Sequence, residues 1–413
     1  MISITEAFAF LENTIATLPD DSVPIGESVG RVLSQNVIAD VNSPPHDKSV
    51  MDGFAIRSAD IASGTLRLEI IETVIAGGWP ELELKPGQAT RIMTGAPIPN
   101  GADAVIMVEL TKTESEGEQE FVTLVDEAAD LIAPEKHVLR TGVNFSKGQT
   151  VFAKGHVVRP TDIGLLAEVG ASMVSVGGVP TVSVLPTGDE LVDCSQVPGR
   201  GQIRNSNGPM LIAMVRALGL NVTDKGIGRD NPEDLQTRIE SGLKSDILIL
   251  SGGVSTGTKD LVPGILQSLG VKQVFHKVCV KPGKPIWFGV LDRDEAGTNK
   301  RTYVFGLPGN PVSSLVGFQL FVRRAIRKLT GQTSESTDSM MGELSDPHET
   351  RGNRPTYWPA KQIVDDSPIR KFKPLLWRGS SDLFALGEAE GLIFFPANSQ
   401  QHPAGESVRF FPF

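Results

Sequence analysis

Between Thr181 and Gly331 the chain alternates apolar extended runs with amphipathic helical runs, and this rhythm constrains its fold more than any other feature. The runs are Val182 to Pro186, Pro209 to Leu218, Asn221 to Gly228, Pro232 to Leu243, Asp246 to Leu250, Leu261 to Leu269, Val274 to Val280, Thr302 to Gly306 and Pro311 to Leu329. Such alternation covers both faces of a sheet with helices when the strands run mostly parallel, so the segment predicts an α/β domain of βα units. Ligands of open α/β sheets sit beyond the carboxyl ends of the strands. Those ends read Thr187-Gly188-Asp189-Glu190, Gly228-Arg229-Asp230, Ser251-Gly252-Gly253-Val254-Ser255, Lys281-Pro282-Gly283-Lys284-Pro285 and Gly306-Leu307-Pro308-Gly309-Asn310-Pro311. Every one is a Gly-rich or charged loop, and all are expected on one edge of the sheet.

The residue types suit a phosphorylated ligand and a divalent cation. In "SGGVSTGTKD" the small residues Ser251, Gly252, Gly253 and Ser255 let backbone N–H groups approach a phosphate or carboxylate just before a helix N-terminus. Asp260, at its end, either coordinates Mg2+ or caps the helix. "GLPGNPVSS" repeats the device with Pro308, Gly309, Asn310 and Pro311, where ligand contact and ordinary helix capping both stay open. "KPGKP" holds Lys281 and Lys284 in a rigid Pro/Gly frame, and lysine is a point charge suited to phosphate or another oxyanion. Glu190, Asp230 and Asp260 put three carboxylates on the same edge, for Mg2+ with retained waters, for acid–base work or for capping.

Outside this segment the character changes. A chain of 413 residues exceeds one ordinary core. The sequence predicts a discontinuous mixed domain over 1–43 and 145–178, a β-rich inserted lobe over 44–144, the α/β ligand-binding domain over 179–331 and a small β domain over 332–413. A first helix from Met1 to Leu18 would align Ala7, Phe8, Leu11, Ile15 and Leu18, and Asp162 is placed to N-cap a helix from Ile163 to Val169. In the lobe, "PPHDKSVMDGFAIR" sets Asp52 in a turn and "RIMTGAPIPNGADAVIM" sets Thr94 in another. Each reads as a hairpin or loop, or as a feature facing the ligand cleft.

Composition excludes several classes. A net charge of −10 argues against a nucleic-acid partner but leaves room for a local cationic pocket. No run approaches the ~18 apolar residues that span a membrane, and the N-terminus lacks a signal-peptide pattern. Two cysteines without metal or disulfide spacing point to a reducing cytoplasm. Neither a GxSxG elbow nor a Walker A string occurs.

The strings "SVMDGFAIR", "MTGAPIPNGADAV", "PTGDEL", "IRNSNGPML", "SGGVSTGTKD", "KPGKP" and "GLPGNPVSS", in this order, resemble the molybdopterin molybdenumtransferase family, which includes the C-terminal enzymatic domain of gephyrin. The resemblance spans nearly the whole chain. It implies an L-shaped homodimer of four-domain subunits, with an α/β domain similar to molybdopterin adenylyltransferases and a C-terminal β-barrel. It also implies Mg2+-dependent insertion of molybdate into adenylylated molybdopterin with release of AMP. By the same resemblance Asp52, Thr94, Glu190, Asp230 and Asp260 match positions linked to activity and metal. Lys281 and Lys284 match anion-holding positions, Asn205, Ser206, Asn207 and Gly208 a ligand-contact loop, and Arg354 and Ser380 C-terminal positions near the cleft.

The chain departs from the family pattern in three places. Asn144, in "LRTGVNFSKG", stands where the family usually has an acid. "RGSSDLFAL" lacks the usual GSG-type run, and "GNRPTYWPA" is a loose version of the pattern around Arg354. Alternative readings are a molybdopterin adenylyltransferase or nucleotide pyrophosphatase on the same α/β domain, neither of which needs the Asp52 and Thr94 lobe, and a non-catalytic scaffold. A scaffold has no physical need to keep Glu190, Asp260, Lys281 and Lys284 together.

Overall fold

The computed structural model describes residues 1–254, 261–295, 298–332, 339–366 and 368–413. In the inserted lobe the short β-rich runs become β1 (Gly53–Ile56), β2 (Arg67–Val74), β3 (Gln88–Ile92), β4 (Ala104–Met107), β5 (Thr111–Glu116) and β6 (Gln119–Leu124), in sheet order β4-β1-β3-β2-β6-β5. β1 is buried at all four residues. A side chain at Gly53 would put its Cβ 1.8 Å from the Ile106 carbonyl oxygen, so only glycine lets β1 lie against β4 there. β5 and β6 form a full hairpin, with Thr111 opposite Leu124 and Glu116 opposite Gln119.

The α/β segment forms β7 (Val182–Pro186), β8 (Val222–Asp224), β9 (Ile247–Ser251), β10 (Lys272–His276), β11 (Trp287–Glu295) and β12 (Thr298–Leu307), in order β8-β7-β9-β12-β11-β10. β8, β7, β9 and β12 are parallel, as the rhythm predicts. β11 is antiparallel to both its neighbours and was not marked by the rhythm, because its second half is charged. Helices α1 (Ile4–Thr14), α2 (Asn207–Ala217), α3 (Pro232–Gly242), α4 (Val262–Ser268) and α5 (Pro311–Gly317) cover the sheet.

The period of two along each strand decides which helices go where. Val182, Val184, Ile247 and Ile249 share one core with α1, α2 and α5 through Leu11, Leu211 and Leu315. Leu185, Leu248 and Leu250 face the other way, onto Leu235 and Ile239 of α3 and Leu266 of α4. A Ser3–Glu6 capping box starts α1, which ends at Thr14, short of the periodic run, because Ile15 is extended. α1 docks on the α/β sheet, while Asp21–Pro24 pairs with Met173–Val176 further on. The helix Asp162–Glu168 begins at Asp162, whose carboxylate serves the preceding turn rather than capping: it accepts from the Arg159 backbone N–H and guanidinium and lies 2.6 Å from His156 Nε2.

The C-terminal strands β13 (Met340–Leu344), β14 (Thr356–Ile363), β15 (Lys371–Pro374), β16 (Gly391–Phe395) and β17 (Ser407–Pro412) close into a barrel in the order β13-β15-β14-β16-β17. Closure leaves no open edge and buries Leu344, Phe372, Ile393, Phe395 and Phe410. The architecture is therefore α/β plus β: a parallel-rich sheet, a β-rich lobe and a small barrel. No described helix is long and apolar enough to cross a membrane.

Candidate functional site

Register gathers the loops on one sheet edge. β7, β9 and β12 end together: Thr187 N–H donates to Ser251 O (2.8 Å) and Gly252 N–H to Leu307 O (3.0 Å). His276, at the end of β10, lies opposite Trp287, which lies opposite Gly306, so the Lys281–Pro285 loop joins the same edge. Gly252 turns the chain at φ +95°, and a Cβ there would lie 2.5 Å from Thr187 O, so the close approach requires glycine. Asn205 Oδ1 accepts from Gly208 N–H (3.0 Å), and Ser206 precedes α2 without a side-chain capping bond. Asn207 is buried and donates from Nδ2 to Ser251 Oγ (2.9 Å) and to Gly309 O (2.7 Å).

Of the carboxylates expected to hold metal, Glu190 and Asp230 lie on two adjoining loops. Asp230 N–H donates to Asp189 Oδ1 (3.0 Å), and Arg229 donates to the carbonyls of Gly188, Asp189 and Leu191. Glu190 is exposed and folds back over Gly188, where an added Cβ would meet Glu190 Oε2 at 2.5 Å. Ser255 and Asp260 lie outside the described residues. Among the described residues no group of three His, Cys, Asp or Glu side chains could hold a metal ion.

The lysine loop stitches the α/β domain to the barrel. Lys281 N–H donates to Pro355 O (2.9 Å), and Tyr357 N–H donates to Lys281 O (2.8 Å). Arg354 Nη1 donates to Val280 O (2.7 Å), and Lys281 Nζ to Arg351 O (2.9 Å). A second seam joins Asn310 Nδ2 to Ser380 Oγ (2.9 Å) and Val312 N–H to Ser380 O (3.1 Å). Between the seams opens a cleft of 870 Å³. Lys281, Lys284, Arg351, Arg354 and Arg378 line it, against Glu349 as the single acid among the described residues, so its field attracts anions. Burial, then Arg354 and Arg351, hold the Lys281 ammonium below the ordinary lysine range. A bound anion would relieve that crowding.

Pro308 and Asn310 line the cleft, while Gly309 touches the other loops: a Cβ on Gly309 would lie 3.7 Å from Gly252 Cα. The 308–310 loop is thus a wall shared by the cationic cleft and the strand-edge loops. Asn310, for which capping stayed open, makes no side-chain capping bond and reaches Ser380 instead, while Pro311 opens α5.

Comparison with known proteins agrees with these features. The "MoeA N-terminal region (domain I and II)" matches residues 2–170, and the "Probable molybdopterin binding domain" matches residues 183–328. A molybdopterin molybdenumtransferase of Staphylococcus aureus (strain MRSA252) is 34% identical over 98% of this chain and 94% of its own length. That of Bacillus subtilis (strain 168) is 33% identical over 94% of this chain and 88% of its own. The chain belongs to the molybdopterin molybdenumtransferase family. It is thereby an enzyme of molybdenum cofactor biosynthesis. The crystal structure of the molybdopterin biosynthesis MoeA protein from Pyrococcus horikosii is similar throughout, at TM-score 0.81 and 28% identity, covering 100% of this chain and 99% of that one.

Other residues of this molybdenumtransferase-family chain lie apart from the cleft. Asp52 Oδ1 accepts from Thr94 N–H (2.7 Å) and Thr94 Oγ1 (2.8 Å), and these two bonds hold its carboxyl below the usual range. Both residues are exposed, neither lines the cleft, and no hydrogen bond among the described residues joins them to the strand-edge loops. Asn144 donates from Nδ2 to Ser43 Oγ (3.2 Å) and from its backbone N–H to Ser43 O (2.9 Å). Sequence reasoning missed Arg351, Arg378, Trp358 and Trp377, which complete the cleft wall. For three of them the one signal is proximity: "RGNR" and "WRGSS" set Arg351, Trp377 and Arg378 beside Arg354 and Ser380.

Proposed function

We propose that this chain inserts molybdate into adenylylated molybdopterin with release of AMP. The observation that carries the reading is the cationic cleft: Lys281, Lys284 and Arg354 beside Ser380, sharing the 308–310 wall with the Gly-rich loops. Lys281 spends one N–H on Arg351 O and keeps two for an oxyanion. Lys284 is exposed and can follow the anion as a mobile charge. The Gly253 backbone N–H is the natural seat for a phosphate, that of Gly252 being donated to Leu307 O, and the 308–310 wall holds both ligands side by side. Holding the two reactants in one place lowers the barrier by orientation, and fixed cations offset the charge of phosphate and oxyanion as AMP leaves.

Mg2+ belongs to the same reading. Its residues would be Glu190 and Asp230, whose carboxylates sit on adjoining loops with no hydrogen-bond or ion-pair partner among the described residues. That donor set fits an ion commonly held by one or two carboxylates plus substrate phosphates; Asp260 is the third proposed ligand. When bound, the ion polarises the phosphoanhydride. Asp52 and Thr94 enter through a homodimer, since they stand outside the cleft of their own chain and a second copy could bring them to it. An adenylylated substrate must come from an adenylylating enzyme, which makes a molybdopterin adenylyltransferase the fitting upstream partner. A reducing, cytoplasmic setting rests on the two free cysteines, Cys194 and Cys279.

The test is AMP release from adenylylated molybdopterin with Mg2+, with and without molybdate. Release that depends on both is expected. No release from well-folded protein would overturn the reading in favour of binding or scaffolding, and release indifferent to molybdate would favour a pyrophosphatase.

A further inference from the structure

We infer that Asn207 is a positioning residue that sets the spacing between the Ser251–Gly253 loop and the Pro308–Asn310 loop. The inference rests on the strand-edge reading above and assigns Asn207 a role beneath the loops rather than against the ligand. Its side chain is 8% exposed, at the first residue of α2. Nδ2 bridges Ser251 Oγ on one loop and Gly309 O on the other. A backbone carbonyl can only accept, so the amide nitrogen must face Gly309, and this fixes the orientation of the whole group.

The brace continues through buried hydroxyls. Ser251 Oγ lies 3.3 Å from Ser314 Oγ, and Ser314 Oγ donates to Pro308 O (2.5 Å). One polar chain therefore ties the start of α2, the end of β9, α5 and the end of β12. The loops themselves have little with which to brace each other, because they meet at Gly252 and Gly309. Asn207 Oδ1 meanwhile has no hydrogen-bond partner among the described residues. A side chain present only to fill space would be apolar and leave no polar atom unpaired. The amide is explained by what its nitrogen does, which is to hold two ligand loops at a fixed separation.

The test uses the full chain with Asn207→Leu, which keeps the branching at Cγ and removes both donated bonds. Asn207→Ser is the companion, since serine is well tolerated at a helix start but too short to bridge both loops. For both variants the KM for adenylylated molybdopterin should rise about tenfold or more, while kcat at saturation stays within about threefold. Molybdate binding, read by calorimetry, should stay as in wild type. An unchanged KM in either folded variant would overturn the inference while leaving the site reading intact. So would a parallel loss of KM, kcat and molybdate binding in the serine variant, which would mark Asn207 as a purely structural residue. A wild type that never turns over adenylylated molybdopterin would instead remove the site reading on which the inference stands.

Discussion

Lys281 and Asp52 both sit in short turns beside a strand, yet their charges are treated in opposite ways. Lys281 is partly buried at a domain seam, with Arg351 and Arg354 pressing on its ammonium. Asp52 is exposed, and Thr94 already satisfies its carboxylate through two hydrogen bonds. Crowded, unneutralised charge calls for a counter-ion, whereas a charge met by hydrogen bonds from a neighbouring turn calls for nothing further within the chain. The cationic cleft can therefore be argued to a ligand class from one chain's geometry. The Asp52–Thr94 pair draws its functional meaning only from the family and from the proposed second copy.

The largest expected effect comes from removing the crowded charge. Lys281→Met should lower molybdate-dependent AMP release by about 100-fold, as losing one preorganised donor does in comparable sites, without lowering the thermal midpoint. A fall in the midpoint with little loss of activity would turn the seam into a purely structural feature. Next, Gly53→Ala should destabilise the chain by about 2 kcal/mol or more in denaturant titrations, because its Cβ collides with backbone that cannot swing aside. An unchanged midpoint there would show that β1 and β4 separate easily.

Asp52→Asn keeps an acceptor for Thr94 and removes only charge. If a second copy brings this turn to the cleft, as proposed, the substitution should lower turnover about tenfold while leaving molybdate affinity untouched. Unchanged turnover would reduce the lobe turn to architecture.

A smaller effect is expected from pH. Only the protonated lysine attracts an anion, so molybdate affinity should weaken as pH rises through the lowered Lys281 range, earlier than a free lysine would allow, in titrations from about pH 7 to about pH 10. The sign for stability is opposite. Because the folded pKa lies below the unfolded one, the charged form is a cost at low pH that is relieved as pH rises.

Smallest of all is Asn144→Asp. Ser43 Oγ already donates to Glu168, so an aspartate at 144 could not replace the Asn144 donor bond. A loss of about 0.5–1 kcal/mol and less than a threefold change in turnover are expected, by denaturation and AMP release.

Much of this was legible because period and loop chemistry are local. Val182 to Pro186 and Ile247 to Ser251 are buried throughout, as strands covered on both faces must be, and their ends carry the Gly-rich loops the rhythm implied. What was not legible depends on distant pairing. Nothing in "KPGKP" says that Lys281 will pair with Thr356, or that Arg354 will reach Val280 O. The cleft wall of Trp358, Trp377 and Arg378 exists only once the barrel closes. Asn310 has the sequence of a cap and the role of a cross-domain tie, because Ser380 competes for its amide.

The most direct test of the contrast between the two turns is a calorimetric titration of molybdate into wild type, Lys281→Met and Asp52→Asn. The account predicts saturable binding in wild type, its loss in Lys281→Met and its retention in Asp52→Asn. Equal binding by wild type and Lys281→Met would contradict it.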